Sequence, residues 1–118
     1  MIEWKKTEAV RKEFCEINKN RHVTTIDSVI QSINPQDIIA INETYDYPDI
    51  LNDYKMEKLK NSVKSEGWKD KQPRDFCLLM LPDGKMLVNG GGNHRAVLAK
   101  ELSIESVKAN VAKVIYLD

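Results

Sequence analysis

The run Asn89-Gly90-Gly91-Gly92-Asn93-His94-Arg95 is the part of this chain whose residue types and spacing could do chemistry. Three glycines end an apolar segment. A histidine and an arginine then fall in the first turn of a helix continued by Ala96-Val97-Leu98-Ala99-Lys100-Glu101-Leu102. A helix N-terminus presents unpaired amides, glycine lets backbone come close, and arginine carries a planar fork of donors. Together they favour an anion, above all a phosphate. Arg95 is expected to give bidentate hydrogen bonds to phosphate oxygens and His94 to donate from a ring nitrogen, while Gly91 and Gly92 admit backbone amides. Asn93 and Asn89 are further polar contacts. The alternative is a flexible turn carrying two basic residues on the surface. This pattern defines a binding chemistry and leaves open whether the chain is an enzyme.

A second set of candidates lies in the loop Asn42-Glu43-Thr44-Tyr45-Asp46-Tyr47-Pro48-Asp49. Glu43, Asp46 and Asp49 are the dense carboxylate group outside the expected helices. A carboxylate there could hold Mg²⁺ beside a nucleotide or act as a base, with Glu43, nearest the strand end, as the first choice for a catalytic role. A solvated acidic loop is the competing reading. Two histidines, His22 and His94, and two distant cysteines, Cys15 and Cys77, do not make a zinc-ligand pattern, so no metal site is expected. Trp4 and Trp68 read as core or cap contacts. Lys69, Lys71 and Arg74 flank Gln72-Pro73 and read as a solvated loop.

Positioning these residues takes one domain of 118 residues, 42% hydrophobic and 31% charged, in the range of ordinary globular chains. Basic and acidic residues balance at 18 each. A protein that binds DNA through its phosphates normally carries a basic excess, so DNA binding is disfavoured for this chain alone. No apolar run reaches the roughly 20 residues that span a bilayer. Met1-Ile2-Glu3-Trp4-Lys5-Lys6 leads into mixed charge rather than an apolar stretch, so a cytoplasmic location is expected, without membrane association.

Periodicity predicts a helix over 3–19, from Val10, Phe14 and Ile17, and a short second helix over 26–33, from Ile26, Val29, Ile30 and Ile33 with Thr25 as N-cap. Ile38–Ile41 reads as a buried strand. A helix follows over about 54–66, closed by Gly67 with Trp68 packing back on it. Residues 76–81 and 86–89 read as an antiparallel hairpin around Pro82-Asp83-Gly84-Lys85, then comes the helix 93–102 and a last strand over 107–116. Strands mixed with helices in so short a chain indicate an α+β fold, a small mixed sheet with packed helices.

From Ile38 to about Val114 the chain resembles the ParB/sulfiredoxin-like superfamily. The resemblance rests on the strand and loop before a helix ending in Gly67, on Gln72-Pro73 before a strand, and on a hairpin bearing Asp83-Gly84. The box Gly92-Asn93-His94-Arg95 with Ala99-Lys100 follows, and Ile104-Glu105-Ser106-Val107-Lys108-Ala109 enters the closing strand. It implies a stand-alone nucleotide-binding core over residues 38–118, preceded by an N-terminal helical extension over residues 1–37. It also implies that Gly92, His94 and Arg95 contact the phosphates of a nucleoside triphosphate, ATP or CTP with Mg²⁺, with hydrolysis or phosphoryl transfer as associated activities. Asn93 stands where sulfiredoxins place their catalytic cysteine, so sulfiredoxin chemistry is not expected. Val97 stands where partition proteins carry a further arginine, and their helix-turn-helix has no counterpart in these residues. The alternative is a non-catalytic adaptor or regulator that keeps the fold as a scaffold and meets a protein partner through its N-terminal helices.

Overall fold

The computed structural model describes residues 2–118. Its elements run in the order β1 (Lys5–Lys6), α1 (Thr7–Ile17), β2 (Val23–Ile33), β3 (Ile38–Ile41), α2 (Tyr54–Glu66), β4 (Cys77–Met80), β5 (Met86–Val88), α3 (Asn93–Glu101) and β6 (Val107–Tyr116). The six strands form one mixed sheet in the order β1-β3-β5-β4-β6-β2. Strands β1, β3 and β5 are mutually parallel, β4 is antiparallel to β5 and parallel to β6, and β2 is antiparallel to β6. The molecule is an α+β domain with helices on both faces of this sheet. None of the helices among the described residues is long and apolar enough to cross a membrane.

Helices α2 and α3 cover one face over a core of Ile38, Met56, Phe76, Leu78, Val97, Val107 and Val111. Helix α1 covers the other, its Val10 and Phe14 lying against Ala40, Leu79, Leu87 and Val114. Strands β3, β4 and β5 are therefore covered on both faces, which explains why Ile38–Ile41 and Cys77–Met80 read as continuous apolar runs instead of alternating ones. The hairpin turn is built as its sequence requires. The Leu81 N–H donates to Lys85 O at 2.8 Å, the Asp83 carboxylate accepts from the Lys85 N–H at 2.9 Å, and Gly84 takes φ +90°. Gly67 ends α2 at φ +78° with its N–H on Val63 O, and Trp68 packs on the core as expected.

The expected helix over 26–33 is a strand. Seven of the eleven residues of β2 are β-branched, and such side chains favour extended backbone. The helical spacing of Ile26, Val29 and Ile33 has another cause. The register against β6 slips between Ile26 and Val29, where Asp27-Ser28 forms a bulge with one extra residue. That residue puts Ile26 and Val29 on the same face three positions apart, which imitates a helical stripe. Thr25, the expected N-cap, pairs with Val114 instead. The expected helix over 3–19 begins only at Thr7, because Lys5 and Lys6 pair with Ala40 and Ile41 on the sheet edge. Residues 2–37 thus contribute one α-helix, and their strands form both edges of the sheet.

Candidate functional site

The glycine run lies flat against the start of β4. Cys77 N–H donates to Gly91 O at 3.1 Å and Asn89 N–H to Cys77 O at 2.9 Å, so the β4–β5 ladder continues into the run. A Cβ at Gly91 would stand 2.7 Å from the Asp75 carbonyl oxygen, and one at Gly92 would stand 2.5 Å from the Phe76 ring. Gly92 also takes φ +102°, a conformation that favours glycine. These two glycines are therefore demanded by packing, whatever else approaches them.

Because Gly92 is the residue before α3, no side chain caps that helix. Ala96 N–H closes the first turn onto Gly92 O. The N–H groups of Asn93, His94 and Arg95 find no acceptor among the described residues. Unpaired amides at a helix start carry partial positive charge and suit an anion. They border a cavity of about 300 Å³ whose charged lining is Lys55, Lys71 and Arg95 against Asp75, with Gln72 and His94 completing the wall. Gln72 is held at φ +48° and ψ +57°, an uncommon conformation for a side-chain-bearing residue, directly before Pro73.

The three box residues after Gly92 serve different ends. Asn93 is buried, and its side chain joins two loops: Oδ1 accepts from the Asn42 N–H at 2.8 Å, and Nδ2 donates to Gly90 O at 3.1 Å. His94 is largely covered, with Nε2 at 2.8 Å from Asp53 Oδ2 and its ring in a T-shaped contact with Tyr45 at 5.0 Å between centroids. Asp53 is also the N-cap of α2, its Oδ1 accepting from the Met56 N–H at 2.8 Å. The hydrogen bond from His94 holds the Asp53 carboxyl below the usual carboxylate range, the Met56 amide adds to it, and partial burial opposes both.

Arg95 turns toward the preceding loop. Its Nη1 donates to Lys71 O at 2.8 Å and its Nη2 to Lys69 O at 2.9 Å, while the guanidinium stacks near Trp68 and Phe76 at 5.2 and 5.8 Å. Burial lowers its pKa from the ordinary value, with the charge of Asp70 opposing; an arginine stays charged regardless. Its Nε is buried without a partner. The guanidinium thus both shapes the cavity wall and stands at its edge.

Glu43 is not brought to this cavity. Its Oε1 accepts the Glu8 N–H at 2.6 Å, at the N-terminus of α1, where a carboxylate is favoured by the helix dipole. Asp46 is paired with Lys6 at 2.7 Å, and Lys6 also holds the Tyr45 carbonyl. Asp49 begins a short 3₁₀ turn over Asp49–Asn52. Glu43 and Asn89 line a second, larger cleft of about 810 Å³ beside α1, with Arg11, Lys12 and Cys15. Gly90 borders that cleft and Gly92 the first, so the glycine run separates the two. Cys15 and Cys77 are both free thiols. No group of three or more His, Cys, Asp or Glu side chains suited to a metal ion occurs among the described residues.

Sequence reasoning overlooked Lys55 and Asp75 as cavity residues and Asp53 as the partner of His94. An aspartate just before a predicted helix is an N-cap signal, so the local role of Asp53 was readable. Its partnership with His94, 41 residues away, has no local signal. Comparison with protein-family models, curated proteins and solved structures finds no match to this chain.

Proposed function

We propose that the chain binds a phosphate-bearing ligand, a nucleoside triphosphate, in the cavity at the N-terminus of α3. The observation that carries this reading is the set of three unpaired amides, Asn93 to Arg95, opening on a cavity with three cationic side chains and one carboxylate. Phosphate oxygens would accept from those amides and meet Lys55 and Lys71, while His94, fixed by Asp53, offers its remaining ring nitrogen. The cavity holds no carboxylate cluster for a divalent ion, so Mg²⁺ would arrive on the phosphates themselves and be held mainly by them. A ParB/sulfiredoxin-type fold is part of the same proposal. It is supported by the order strand, helix, hairpin, glycine box, helix and strand from Ile38 to Val114. With Glu43 turned to α1, binding is better supported than phosphoryl transfer or hydrolysis.

One observation favours a second reading, an adaptor that uses the fold as a scaffold. Gly91, Gly92, Asn93 and Arg95 all have structural duties that need no ligand. Thermal unfolding with ATP, CTP, GTP and inorganic triphosphate, with and without Mg²⁺, separates the two. A ligand at a hundred times its dissociation constant stabilises the folded state by about 2.7 kcal/mol, a rise in Tm of roughly 10 °C for a domain of this size. That rise is expected to vanish in the double variant Lys55→Ala/Lys71→Ala, whose substitutions lie at the rim and spare the core. No rise with any of the four compounds selects the adaptor.

A further inference from the structure

We propose that β2 is a dimerisation edge, pairing antiparallel with β2 of a second copy of this chain across a two-fold axis. Six of the eight large hydrophobic side chains that stand exposed lie on β2 or beside its base: Val23, Ile26, Val29, Ile30, Ile17 and Leu117. Val29 is 61% exposed and Ile30 46%. Strand β2 is the outermost strand of the sheet, bonded on one side only to β6, and it carries a single charge, Asp27, in eleven residues. Proteins normally protect such an edge with lysine, proline or a covering element. Here protection is limited to the bulge at Asp27-Ser28, which leaves regular runs on either side.

Two features select the occupant. The first is the distribution of apolar side chains between the faces. Ile26 and Val29 share the face of Lys113 and Val111, the α2–α3 side, whereas Val23 and Ile30 share the face of Tyr116 and Asn110. A partner stacked on one face would leave the other pair without new neighbours; a strand added to the edge gives side chains on both faces cross-strand partners. The second is closure. Among the described residues the opposite edge of the sheet is β1, two lysines long, too short and too charged to receive β2. Head-to-tail growth through β2 on β1 is therefore excluded, and the remaining pairing of the chain with itself is β2 on β2, which closes at two copies.

Sedimentation velocity of the full chain tests this directly. The expected result is a species of twice 13.6 kDa at micromolar and higher concentrations. Val29→Lys and, separately, Ile30→Lys place a charge on each face of the edge at positions already open to water in the single chain, so both variants are expected to fold, by circular dichroism, and to sediment as monomers. A monomeric parent chain overturns the proposal. So does a dimer that survives both substitutions, which places the interface elsewhere, or a polymer that grows with concentration. None of these outcomes depends on whether the α3 cavity binds a nucleotide.

Discussion

At Gly92 two independent constraints meet, a left-handed φ and the Phe76 ring in the space a Cβ would fill. Gly92→Ala must therefore strain the backbone and push on a core aromatic. Each effect is of the order of 1–3 kcal/mol, and the substitution is expected to cost about 2–4 kcal/mol in urea unfolding. A loss below 1 kcal/mol would show that the run relaxes away from Phe76. Asp53 carries a different kind of prediction. Its carboxyl is held below the usual range chiefly by His94, so the folded state releases that proton more readily than the unfolded chain. The stabilisation is complete above the unfolded value of about 3.9 and is lost as pH falls through the depressed folded value. Asp53→Asn keeps a good N-cap but removes the charge, and its stability is expected to fall less steeply below pH 4 than that of the parent. Asp118, held down by Arg21, titrates in the same window and retains part of the acid dependence. An unchanged acid limb would mean that the Asp53–His94 contact carries no charge.

Elements whose signals are local were legible in the sequence, and elements at the edge of the sheet were not. Helix α2 and strand β6 fall where periodicity and capping residues predict, because Asp53, Gly67 and the apolar runs act locally. Strand β2 was misread because its bulge rewrites the spacing of Ile26 and Val29, and a bulge depends on the partner strand rather than on the strand's own residues. The start of α1 was misread for a similar reason. Thr7 is buried and donates its hydroxyl to Val88 O at 2.8 Å, while Glu43 caps the Glu8 amide at 2.6 Å, and both partners are remote in sequence. The glycine box was legible as a helix start, but its companions Asp53, Lys55 and Asp75 come from other elements. The tie through Thr7 is testable at this scale. Thr7→Val keeps the shape and leaves the Val88 carbonyl without its donor, and is expected to cost about 1–2 kcal/mol with α1 loosened from the sheet. Full retention of stability would show that α1 is held by Val10 and Phe14 alone.

The molecule is elongated, 49 × 26 × 22 Å, and its two cores sit on either side of β3, β5 and β4. Most of β2, by contrast, is open to water and touches the rest of the sheet only through β6. The free energy of local opening follows buried apolar contact, so stability should fall along the sheet from β5 and β4 toward β2. Hydrogen exchange in the Val29→Lys chain reads this gradient without a partner strand in the way. Amides of Val23 to Ile26 are expected to exchange by local fraying, orders of magnitude faster than those of Leu78, Leu87 and Val88, which wait for global unfolding. In the parent chain at high concentration a covered edge would slow the β2 amides and leave those of the inner strands unchanged. Uniform protection across the sheet of the Val29→Lys chain would mean that the β2–β6 ribbon unfolds only with the core, and that its exposed hydrophobic side chains are carried at no cost to local order.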